Sequence, residues 1–132
     1  IYLMQAEFAM QDQDYSRAEQ AYATAAKLDA DGAMGLMAAL GQAGALIKLD
    51  RPADAVTLLQ GLESRATEDG RATLRMLLGE AAEAAGKTDV AVAAYEALAA
   101  SQPGLDGEFY RSRAEALGGG KTAPVKDGAE NK

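Results

Sequence analysis

Three groups of residues have the types and spacing that could do chemistry. Gly118-Gly119-Gly120-Lys121-Thr122 supplies the glycines, lysine and hydroxyl of a phosphate-cradling loop. That loop needs another glycine five residues before Gly120, where Glu115 stands, and a strand before it and a helix after. Here Leu117 ends a helical pattern and Pro124 follows, so the segment reads as a linker. Asp12, Asp14, Asp29 and Asp31 suggest a calcium loop, but counting from Asp12 the sixth position is Arg17 instead of glycine and the twelfth is Ala23 instead of glutamate. They read as turn and cap residues. Glu80 and Glu83 share a helical face, yet a carboxylate metal site needs a histidine three residues after a glutamate, and the chain has neither His nor Cys. Without imidazole or thiol the usual nucleophile and base pairs are missing, so we expect no catalysis, no metal and no cofactor.

The elements that carry these residues follow from composition and periodicity. A chain of 132 residues is expected to form one domain. With 48% hydrophobic but only 5% aromatic residues and no Trp, its core must come from close approach of small side chains, which favours helix on helix. Thirteen Lys and Arg against 20 Asp and Glu leave a net charge of -7, which repels nucleic acid and anionic membranes. The longest apolar run, residues 33–47, is interrupted by Gln42 and falls short of the ~20 residues that span a bilayer, so no membrane contact is expected of this segment. Because the sequence opens at Ile1 inside a helical pattern, we expect it to be part of a longer precursor whose targeting signal has been removed.

Tyr2, Leu3, Ala6, Phe8, Ala9 and Met10 suit a first helix packed on one side, and Asp12-Gln13-Asp14 turns the chain. Tyr15, Ala18, Ala21, Tyr22, Ala25 and Leu28 make a second helix that ends near residues 29–32. A third helix runs to about Leu49, Asp50-Arg51 turns, and Pro52 opens a fourth. A fifth starts near Thr67, Gly86-Lys87 turns, and Thr88 is placed to cap a sixth that Pro103 ends. Phe109, Tyr110, Ala114 and Leu117 mark a last helix, expected to cover the apolar face left by the sixth. Residues 118–132 read as a flexible polar tail.

Leu78-Gly79, Gly86, Ala91, Tyr95, Leu98 and Pro103 stand at the spacing of a tetratricopeptide repeat, and the chain resembles that family. Ala18, Tyr22 and Ala25 match the small, aromatic and small positions of its second helix, as do Ala55, Leu59 and Leu62. The intervals between Ala18, Ala55 and Ala91 are 37 and 36, longer than the family's period of about 34, so the array is irregular. The fold expected is all-α: a short solenoid of three helix-turn-helix repeats, residues 1–31, 32–66 and 67–103, and a capping helix, 105–117, within a domain of residues 1–117.

The resemblance implies a non-catalytic scaffold that binds another protein on the concave surface lined by the first helices. The matching positions are Leu3, Glu7 and Met10; Met37, Leu40, Gly44 and Ile47; and Thr73, Met76, Glu80 and Glu83. Met37, Leu40 and Ile47 form a stripe distinct from the core-facing stripe of Leu36, Ala39, Ala43 and Leu46. Methionines concentrate on the first helices, and flexible thioethers suit varied apolar partners. The expected partner is an apolar or amphipathic segment, with Glu7, Glu80 and Glu83 available to a basic residue at its edge. The Lys and Asn clamp by which some members grip acidic chain ends is missing, because Leu3, Glu7, Leu40, Gly44, Met76 and Glu80 hold those positions. The alternative is a structural subunit that uses the apolar surface to form a homo-oligomer or to dock permanently in a larger complex. An Ala-rich array with a short last helix and polar tail is similar to the soluble domains of bacterial envelope proteins of the ancillary translocon-subunit type. That resemblance implies a membrane anchor before the domain and a periplasmic location.

Overall fold

The computed structural model describes residues 1–118. Among them are seven α-helices and no strand: α1 Tyr2–Gln11, α2 Tyr15–Leu28, α3 Ala33–Lys48, α4 Pro52–Gly61, α5 Glu68–Ala84, α6 Thr88–Ser101 and α7 Gly104–Ala116. The structure is thus an all-α stack of helical hairpins. Each helix packs on the next in sequence, and α3 also packs on α5. That contact between first helices of successive hairpins makes the stack a solenoid.

The three hairpins turn by one device. Gln13, Asp50 and Gly86 take left-handed backbone conformations, with φ of 61°, 60° and 75°. The amide after each bends back into the preceding helix: Asp14 N donates to Ala9 O at 2.8 Å, Arg51 N to Leu46 O at 2.9 Å and Lys87 N to Ala82 O at 2.8 Å. These landmarks recur at the intervals of 37 and 36 seen for Ala18, Ala55 and Ala91. They therefore fix which residues of α1, α3 and α5 are equivalent.

One core runs from α3 to α7, built on Leu36, Leu59, Leu74, Leu78, Tyr95 and Leu98 among many alanines. A smaller cluster, Ala9, Ala18 and Ala45, with Met10 and Tyr22 against it, joins α1 and α2 to α3. The small residues do what composition required of them, bringing helix backbones together where few large side chains exist. Gly35 and Gly107 show the limit of this approach. A Cβ on either would collide with a carbonyl at the end of the preceding helix, Asp29 or Gln102, so α3 and α7 start in the same way against α2 and α6.

Three sequence expectations need correction. Thr88 does not cap α6: it is the first helical residue, Lys87 holds the cap position, and no side chain closes that end. Asp14 and Thr67 do cap α2 and α5, accepting from Arg17 N at 3.2 Å and Gly70 N at 3.3 Å. On α1 only Ala6 and Ala9 are buried, while Tyr2 and Phe8 face outward, since no helix among the described residues covers that side. On α7 the cover over α6 comes from Tyr110, Ala114 and Leu117, whereas Phe109 is 64% exposed. A 3₁₀ turn at Glu63–Arg65, which periodicity did not reveal, carries the chain from α4 toward α5. Beyond Gly118, the expected tail and the rest of the glycine, lysine and threonine segment lie outside the described residues.

Candidate partner-binding site

A cavity of about 690 Å³ opens over α3, between α1 on one side and α5 on the other. Leu3, Glu7 and Met10 form the α1 wall. Ala33, Leu36, Met37, Leu40, Gly41 and Gly44 form the floor, and Asp69, Gly70, Thr73 and Leu77 the α5 wall. Met37 is 57% exposed there, and Leu40 is half-buried. Of the lining side chains only Glu7 and Asp69 are charged, and both are acidic. An apolar floor between two acidic walls can bury apolar side chains and meet a cation at its rim.

The structure brings seven of the eleven expected groove residues into this cavity: Leu3, Glu7, Met10, Met37, Leu40, Gly44 and Thr73. Ile47, Met76, Glu80 and Glu83 lie elsewhere, for a geometric reason. Each first helix shows one edge to the repeat before it and another to the repeat after. By register Met76, Glu80 and Glu83 are the α5 equivalents of Leu40, Gly44 and Ile47, so they belong to the later edge of α5, where Glu83 meets Arg113 of α7. The cavity takes the earlier edge of α5 instead, which holds Thr73 and Leu77. Ile47 packs on the core at the far end of α3.

Glu83 is occupied within the chain. Its Oε1 accepts from Tyr95 Oη at 3.0 Å and Arg113 Nε at 3.2 Å, and its Oε2 pairs with Arg113 Nη2. This ties α5, α6 and α7 together, and Tyr95 also stacks on Tyr110, ring centroids 6.2 Å apart. Burial first, then the hydrogen bond to Glu83 and its charge, push the Tyr95 phenol up to about 12, against the opposing effect of Arg113. Glu83 is therefore no free carboxylate for a partner.

Sequence reasoning missed Tyr22 on the cavity wall. It matches the aromatic position of the family's second helix, and the equivalent Tyr95 lies on a glycine of its own repeat: a methyl on Gly79 would stand 2.6 Å from the Tyr95 ring. In repeat one the residue equivalent to Gly79 is Ala6, and Tyr22 lies instead on Gly41 of the next repeat, where a methyl would stand 2.5 Å from its ring. The Leu40-Gly41 pair was the available signal. Glu7 and Tyr22 both line the cavity, and burial, then the Glu7 carboxylate, raises the Tyr22 phenol. Leu105 and Phe109 of α7, equivalent by register to Ala33 and Met37, are both exposed.

A family model described as tetratricopeptide repeat matches residues 3–71, 40–106 and 76–119. The chain belongs to the tetratricopeptide repeat family. The three matches start at the intervals of 37 and 36 that the turns show, and the last extends over α7. Tetratricopeptide repeats mediate protein–protein interaction and are typically non-catalytic scaffolds. No curated protein and no solved structure matches the chain. Among the described residues no helix is long and apolar enough to cross a membrane.

Proposed function

We propose that this tetratricopeptide array captures an apolar or amphipathic segment of another protein in the cavity over α3. The observation that carries the reading is Met37: a long apolar side chain more than half exposed on the cavity floor, with Leu3 and Met10 on one side and Leu77 on the other. A volume of about 690 Å³ accommodates a few bulky side chains from one or two helical turns, not a folded surface. The bound segment carries large apolar residues three or four apart, and a Lys or Arg that reaches Glu7 or Asp69. Met76 and Glu80 extend the same inner surface for a longer ligand.

The test is a selection of peptides from a random library on the wild-type chain, followed by calorimetry of the winners against Met37→Asp. Burying a carboxylate against apolar side chains should weaken them at least tenfold, about 1.4 kcal/mol, while circular dichroism stays unchanged because the side chain is exposed. Peptides that bind Met37→Asp as tightly as wild type would contradict the assignment. Leu40→Asp should act in the same direction, with some loss of stability because Leu40 also packs on the core.

A further inference from the structure

The cavity over α3 carries its charge at two points, and register gives their separation. Counted between the recurring turns, Glu7 on the α1 wall is equivalent to Gly44, toward the C-terminal end of the α3 floor. Asp69 on the α5 wall is equivalent to Ala33, the first residue of α3. Because each is the first helix of a hairpin, α1, α3 and α5 run the same way, and equivalent residues lie at about the same level. The two acids therefore sit on opposite walls and toward opposite ends. Along α3 they are separated by the eleven residues from Ala33 to Gly44, roughly 16 Å.

Neither acid is neutralised from within the described residues. The ion pairs found there engage Asp14, Asp54 and Glu83, and Arg71, two residues after Asp69, turns instead to the Ala66 carbonyl at 3.2 Å. Among the described residues no Lys or Arg lines the cavity. Each acid also has a glycine at its level. A methyl on Gly44 would meet nothing within 4 Å, and Gly70 follows Asp69 on the same wall, so a long cationic side chain has room at both ends.

The lining selects a conformation as well as a charge. Beyond the two carboxylates its polar side chains are Tyr22, Thr67 and Thr73, and the backbone of α3 pairs within its own helix. An extended segment laid on this floor would bury peptide groups that find no partners, whereas a helix satisfies its own.

Resting on the reading of the cavity as a partner site, we propose that its ligand is a basic amphipathic helix lying along α3, with one Lys or Arg on each flank of its apolar face, about nine residues apart. That spacing is two and a half turns, which puts the cations on opposite flanks, and it rises roughly 13 Å, the two flexible side chains covering the remainder. One cation pairs with Glu7 and the other with Asp69, while the apolar residues between them cover Met37 and Leu40. The net charge of -7 draws such a segment in, and the diagonal of acids then selects it by the spacing of its charges.

The test is calorimetric titration of the chain with designed helical peptides that carry one leucine face and two lysines at this spacing. On the face of a helix the lysines can occupy either of two diagonals, and only one matches Glu7 and Asp69. The matching peptide should bind about tenfold tighter than a peptide of equal composition on the other diagonal. Glu7→Lys and Asp69→Lys should each weaken it by a similar factor with helicity intact, since both side chains are exposed. Each loss should be rescued by changing a different lysine of the peptide to glutamate. Equal binding of the two diagonals overturns the proposal, as does wild-type affinity in either variant, or rescue of both variants by the same change. Met37→Asp separates this outcome from the cavity reading: if it abolishes binding of both diagonals alike, the cavity takes an apolar segment without regard to charge spacing, and if binding survives it, the cavity reading itself fails. Absence of binding by every designed peptide also overturns the proposal, and the library-selected peptides then judge the cavity reading alone.

Discussion

Whether one methyl group is present on a first helix decides where an equivalent tyrosine goes. With glycine at 79, Tyr95 lies within its own repeat; with alanine at 6, Tyr22 crosses to Gly41 and becomes cavity wall. Gly79→Ala should therefore cost about 1–3 kcal/mol in urea unfolding, because the Tyr95 ring must move. Repeat two pairs Ala43 with Leu59 at the same positions, both buried. The double variant Gly79→Ala with Tyr95→Leu should thus be more stable than the sum of the single changes implies. Tyr95 also has a pH signature. Its folded pKa, about 12, lies above the ordinary tyrosine value near 10, so the folded state holds the proton more tightly. That contribution, on the order of 2 kcal/mol, is present in full below about pH 10 and is lost as pH rises through about 12. Comparing urea midpoints of wild type and Tyr95→Phe across that window should show the extra alkaline loss in wild type alone.

The helices were legible because their punctuation was. Pro52 opens α4, Asp12-Gln13-Asp14 and Asp50-Arg51 turn the chain, and the Leu36, Ala39, Ala43 and Leu46 stripe is buried as periodicity required. Thr88 was misread because the left-handed residue before a helix sets where the helix starts, and that conformation is not written in the residue type. Gln13 makes the point: a long side chain sits at φ 61° where the third hairpin has Gly86. Gln13→Gly should stabilise the chain by about 0.5–1 kcal/mol, read from the melting temperature, as the strain is relieved. The tie from Glu83 to Tyr95 and Arg113 was likewise invisible, since it joins residues 30 apart in sequence. Arg113→Ala should leave α1 to α6 protected and speed amide exchange in α7.

For the molecule as a whole, the cavity is lined by the register positions expected on α1, by Met37, Leu40 and Gly44 of those expected on α3, and by Thr73 alone of those expected on α5. Periodicity says which face of a helix is inward but not which edge borders which repeat, and the cavity takes opposite edges from α1 and α5. The aromatic wall at Tyr22 depended on a contact between repeats that no single helix encodes. We propose that the cavity over α3 receives an apolar partner segment. The five methionines of the chain are built-in reporters of it: Met10 and Met37 line the cavity, while Met4, Met34 and Met76 do not. The most direct measurement is a methyl spectrum of methionine-labelled chain titrated with a selected apolar peptide. Shifts concentrated on Met10 and Met37, with Met4 and Met34 unmoved, are the result predicted here. Shifts at Met4 or Met34 with Met10 and Met37 unmoved would contradict it.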